Sequence, residues 1–256
     1  MKYFILKVFV VCIYLFSFQA AHAQKIKYPG QEISGMVKLT YESKVILPNG
    51  VWTVAGMTKS HGYPAWKYVS LVQRISNNIK ALLIISYPEN PVTNGWYKGN
   101  DNTCDDYEGQ NSNYHSKKIK ENANIIKSGY CNSVYVESDV DASLWDSWDI
   151  MENTHNYIAD NNLNYPPALI MLDSKYYSKI NLLNIYYGYN PDFSSIDTTA
   201  NINWKKSDWN KYNIEKHPRK NAFMKKIIAI QNDTIVLSLP GFKKRNPVDL
   251  SLYNFE

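Results

Sequence analysis

The densest run of chemically capable side chains is Asp101-Asn102-Thr103-Cys104-Asp105-Asp106, with Glu108 close behind. Asp101, Thr103 and Asp105 alternate as the first oxygen ligands of a calcium loop do. The sixth position lacks glycine, however, and Ser112 stands where the closing glutamate belongs, so the run reads as a solvated loop. Asp105, Asp106 and Glu108 are also the residue types a glycosidase uses as acid and base, a reading that only their separation in space would carry.

Cys104 and Cys131 are the two cysteines outside the apolar start of the chain. In an oxidising compartment they are expected to pair, closing a loop worth about 3–4 kcal/mol in the chain-entropy model. The alternative is a reactive or metal-binding thiol. Their spacing fits no zinc pattern and neither has a neighbouring histidine. His61, His115, His155 and His217 include no pair at a metal-ligand spacing. His155 falls on the apolar stripe of an expected helix, and His217 stands just before Pro218, where it caps. G-x-S-x-G, P-loop and G-x-G-x-x-G patterns are absent. No catalytic residue, metal or cofactor is therefore expected.

The aromatic residues are more suggestive. Trp96, Tyr97, Trp204 and Trp209 lie in polar, loop-like sequence. Rings beside Asp105 and Asp106 suit a sugar, because the ring covers an apolar sugar face while polar groups bond the hydroxyls. The plainer reading is that these rings fill a second small core beneath the loops.

The ends and the charge bound where such chemistry would act. Lys2 and Lys7 flank the apolar block Val8–Phe16, and Ala21-His22-Ala23 follows. This is the layout of a secretory signal peptide over 1–23, with an apolar core shorter than the roughly 20 residues of a membrane span. Its removal takes Lys2 and Lys7 from the 28 basic residues, leaving 26 against 23 acids, a net charge of about +3 where the whole chain has +5. That balance excludes nucleic acid as an expected partner. No later apolar run is long enough for an integral membrane segment. The expected location is the periplasm, or the medium.

The elements follow from turns and periodicity. Pro48-Asn49-Gly50 is a turn, and Val51–Gly56 a strand with Trp52 and Val54 on one face, Thr53 and Ala55 on the other. Met36–Tyr41 alternates as an earlier strand. Lys67–Arg74 and Ile79–Ser86 form a hairpin across Ser76-Asn77-Asn78, with Asn77 and Asn78 as turn residues and the second strand central. Residues 87–130 read as a long ordered loop region with a short helix near Ser116–Ile126, before a strand at Val134–Val136. A helix over 143–160 is capped by Ser143, with Asp146 after it, and carries Leu144, Trp148, Met151, His155 and Ile158 on one stripe. Strands at Ala168–Leu172 and Ile180–Tyr187 follow, antiparallel across Ser174–Ser178. A second helix runs from Pro218 to about Asn232-Asp233, and a last strand over Thr234–Leu239. Together they predict an α+β fold: a largely antiparallel sheet of about six to eight strands, two main helices and long disulfide-pinned loops. Residues 24–241 form a single domain and 242–256 a loosely held tail.

The run Leu47-Pro48-Asn49-Gly50-Val51-Trp52-Thr53-Val54, two mid-chain cysteines and a Trp-bearing helix after them resemble small exported proteobacterial proteins of unknown function. Residues 190–216 lie outside the resemblance. It implies an exported single-domain protein and lends no activity. The function expected is non-enzymatic binding of an envelope component, glycan or protein, through Trp96, Tyr97, Trp204, Trp209, Asp105 and Asp106. The alternative is a carboxylate-dependent hydrolase of envelope or extracellular glycans.

Overall fold

The structure is a computed structural model that describes residues 23–40, 43–61, 64–90, 96–97, 113–120, 125–126, 128–138, 149–178, 181–193 and 216–255. The turn before the strand expected at Val51–Gly56 depends on Gly50. Its φ is +106°, and a Cβ there would lie 2.1 Å from Gln73 Nε2. That nitrogen donates to the Asn49 carbonyl at 2.7 Å, so the bare glycine lets the turn close on the neighbouring strand. Trp52 follows, fully buried, its indole N–H donating to the Pro48 carbonyl at 3.0 Å.

In chain order the strands are β1 (Gln24–Lys25), β2 (Glu32–Ile33), β3 (Met36–Lys38), β4 (Lys44–Ile46), β5 (Trp52–Lys59), β6 (Trp66–Ile75), β7 (Asn78–Pro88), β8 (Trp96–Tyr97), β9 (Asn113–Lys120), β10 (Ile125–Ile126), β11 (Ser128–Ser138), β12 (Ala168–Ser178), β13 (Leu182–Tyr189) and β14 (Val248–Asp249). Helix α1 (Asp149–Asp160) lies between β11 and β12, and α2 (Pro218–Lys243) precedes β14. Eight strands make one sheet in the order β2-β5-β6-β7-β13-β12-β11-β9, with every pairing antiparallel. Strands β1, β3, β4 and β14 form a smaller sheet, and β8 pairs with β10. The α+β class, the antiparallel sheet and two helices agree with the sequence pattern.

Both faces of the large sheet are apolar over its centre, which is why β7, and β12 as far as Leu172, read as hydrophobic runs. On one face Leu71, Leu83, Ile85, Ile170 and Tyr187 pack against the small sheet, α2 and the chain's C-terminal residues. On the other face, Ile150, Met151 and Ile158 of α1 pack on Ala55, Val72, Leu82 and Ile84. Gly56 lets α1 come close: a Cβ there would lie 3.0 Å from both Asn153 Cβ and Ser70 Oγ. Thr154 and Ser70 hydroxyls then hydrogen-bond at 2.6 Å.

Several expectations are corrected. In the hairpin, β7 begins at Asn78 and the left-handed residue is Ser76, at φ +53°, not Asn77 or Asn78. The segment read as a helix near Ser116–Ile126 contains strand β9 and the two-residue β10. Here β11 supplies the pairing that local periodicity does not reveal. The strand at Val134–Val136 runs over the whole of β11, and the one at Ala168–Leu172 continues through Ser174–Ser178. Thr234–Leu239 is helical: Gln231, Thr234, Ile235 and Ser238 are buried at helical spacing, so tertiary packing overrides the β-branched local preference. The tail is not loose. Val248, Leu250, Tyr253 and Phe255 are buried, β14 pairs with β4, and the Tyr187 hydroxyl donates to the Tyr253 carbonyl at 3.0 Å. Ser143, Leu144, Asp146 and Trp148 lie outside the described residues.

Candidate functional site

The register of the large sheet brings polar side chains into two transverse rows on the face that α1 partly covers. Cross-strand pairing aligns Ser133, Asp173 and Tyr186, on β11, β12 and β13. The adjacent row is Cys131, Lys175, Asn184, Ser86 and Tyr68. Neighbouring strands lie about 4.8 Å apart, and residues two apart on one strand about 7 Å. The rows therefore make one compact belt. Met171, Leu82 and Val72 bound it on the α1 side. Tyr177, Leu182 and Trp66 bound it at the other end.

Burial sets the electrostatics of the belt. Ser133, Asp173 and Lys175 are 1%, 4% and 7% exposed. The Tyr135 hydroxyl donates to Asp173 Oδ2 at 3.2 Å, and Asn184 Nδ2 donates to Ser86 Oγ at 3.0 Å. Among the described residues, Ser133 Oγ and Asn184 Oδ1 have no hydrogen-bond partner. Burial, with the nearby Asp173 carboxylate and Tyr68 adding to it, pushes the Tyr186 phenol well above its ordinary range. Tyr68 is raised by burial first and by Asp149 at the start of α1 second. Both phenols are thus neutral hydrogen-bonding groups beside a carboxylate.

Behind the belt, on the opposite face of the sheet, Gln231 of α2 is completely buried. Its Nε2 donates to the carbonyls of Ser133 and Asp173, each at 2.9 Å, and its Oε1 accepts from Asn132 Nδ2 at 3.0 Å. One amide therefore ties together the backbone that carries the two central belt residues.

No family model, curated protein or solved structure matches this chain. The reading of the site therefore rests on its own geometry.

Glu137 lies on the same face as Asp173, but four residues along β11 from Ser133, the cross-strand partner of Asp173. That places their backbones about 13 Å apart. Asp105, Asp106 and Glu108, the carboxylates expected to serve a hydrolase, lie outside the described residues, as do Trp204, Trp209 and Cys104. Trp96 and Tyr97 form β8 opposite Ile126 and Ile125. Cys131 is buried in β11. His155 is half-buried on α1, where Nδ1 hydrogen-bonds with the Tyr165 hydroxyl and the ring centroids are 5.4 Å apart. His115 is on β9 opposite Val134, and His61 and His217 are exposed. Among the described residues no cluster of His, Cys, Asp or Glu is gathered as metal ligands would be, and no helix is long and apolar enough to cross a membrane.

Sequence reasoning passed over Ser133, Asp173, Lys175, Asn184 and Tyr186. A signal was present in Leu172-Asp173-Ser174-Lys175-Tyr176-Tyr177, where Asp173, Lys175 and Tyr177 recur at the two-residue period of a strand. Ending that strand at Leu172 hid it.

Proposed function

We propose that this chain is an exported periplasmic protein that binds a hydroxyl-rich envelope component, a glycan fragment, at the polar belt and does not turn it over. The observation that carries the reading is the Asp173 carboxylate set among neutral tyrosines, beside two acceptors, Ser133 Oγ and Asn184 Oδ1, without a partner among the described residues. Leaving such groups unsatisfied costs about 1–3 kcal/mol each; both atoms are shielded from solvent, so hydroxyls of a bound sugar would offset that cost once the belt opens to admit it. Phenol rings at the margins supply the flat apolar contacts that sugar faces use.

A Cys104–Cys131 bridge belongs to the same proposal. Cys131 stands next to Lys175 in the belt's second row, so the bridge would tether the stretch carrying Asp105 and Asp106 there. Trp96, Tyr97, Trp204 and Trp209 would then add ring surface around the ligand. The resemblance to exported proteins and the secretory start agree with an envelope location.

Calorimetric titration of the protein with envelope glycan fragments tests this. Saturable binding is expected, weakened about 10–100-fold in Asp173→Asn through loss of charge-assisted bonds, with the fragments recovered intact. A flat titration, or an Asp173→Asn affinity equal to that of the parent, would overturn the belt as the site. Cleaved fragments would overturn the non-enzymatic reading.

A further inference from the structure

The charge of this protein is unevenly placed. Between Lys216 and Arg245 there are eight Lys and Arg residues against Asp233 alone, so the rest of a chain of net charge +5 is slightly negative. That stretch is α2 with its flanks. Its buried positions, among them Phe223, Ile227, Gln231, Thr234 and Ser238, form one stripe against the sheet. Its exposed positions form the opposite stripe, with Arg219, Lys225 and Lys226 in the first half, then Asp233, then Val236 and Leu237 at 69% and 60% exposure. At 3.6 residues per turn these fall within about one third of the helix circumference. The cations and the two aliphatic side chains therefore face the same way. Lys225 and Val236 lie about 16 Å apart along the axis.

We infer that the outward face of α2 docks on an anionic phospholipid surface. The basic side chains match headgroup phosphates, while Val236 and Leu237 reach the headgroup–acyl boundary, the division of labour of an interfacial helix. A nucleic acid would use the cations but leave adjacent aliphatic side chains in contact with charged backbone, which disfavours it. This inference is independent of the belt and its ligand. It also has a structural consequence: the face of α2 opposite the lipid holds Gln231, which anchors the belt strands.

The test is co-flotation of the full chain with vesicles of phosphatidylcholine, alone or doped with phosphatidylglycerol. The apolar block Val8–Phe16 with Lys2 and Lys7 is the same in parent and variants, so the comparison between them isolates α2. About a tenfold preference for the doped vesicles is expected, falling with added salt. Arg219→Glu combined with Lys225→Glu should abolish the preference, and Val236→Ser with Leu237→Ser should reduce it several-fold. All four positions are exposed, and unchanged far-ultraviolet dichroism will verify that the fold survives. Equal binding to both vesicles, or a preference that survives charge reversal, would overturn the inference. Salt-sensitive retention on a polyanion without lipid preference would overturn it in favour of an acidic macromolecule.

Discussion

At the scale of single residues, Gln231 concentrates more of the structure than any residue named from sequence. Its amide satisfies two strand carbonyls and one asparagine. Replacing it with leucine keeps the bulk, removes a donor from each of the Ser133 and Asp173 carbonyls and orphans Asn132 Nδ2. The expected cost is about 3 kcal/mol, read from urea unfolding. Glycan affinity should fall with it, because the Ser133–Asp173 backbone loses its anchor. A loss below about 1 kcal/mol would mean that those groups find other partners. Gly50 was legible in advance because a turn is a local matter of φ. Gln231 was not, since nothing within a few residues of it makes its contacts.

At the scale of elements, the hairpin of β6 and β7 and the start of α2 at Pro218 followed from local rules. The C-terminal half of α2 did not. Thr234-Ile235-Val236 has the β-branched character of a strand, and the burial of one helical stripe against β11, β12 and β14 holds it as helix. Leu237 is exposed, so a substitution there reads the backbone with little packing loss. Leu237→Pro is expected to cost about 3 kcal/mol or more and to lower Tm markedly, since proline removes a mid-helix hydrogen bond. Leu237→Ala should be near neutral. Equal Tm for the two variants would contradict the helix. The lysine-rich strand β9 failed the local reading for a related reason. It closes one edge of the sheet, where charged side chains are common, and its sequence carries no apolar alternation.

For the whole molecule, the buried tyrosines set a limit on the alkaline side. Burial raises Tyr87 to about 12, with Glu89 adding to it, and raises Tyr176, Tyr187, Tyr189 and Tyr253 as well. Each phenol is neutral when folded and ionises near 10 when unfolded. Above that value the unfolded chain binds fewer protons than the folded one, so stability is complete below pH 10 and falls as pH rises. Urea midpoints should therefore drop steadily from pH 10 towards 12. Phenolate absorbance of the buried set should appear together with loss of structure. Stability flat over that window would show that these rings are solvated. By itself the amino-acid sequence determined the α+β class, the turn at Asn49-Gly50, the central hairpin and the two-faced burial of β7, because each follows from period and backbone preference within a few residues. Tertiary structure alone decided the belt, the length of α2 and the docking of the C-terminal residues. Those depend on strand register and on partners up to a hundred residues away, as Asn132 and Gln231 are, and register is a property of the assembled sheet.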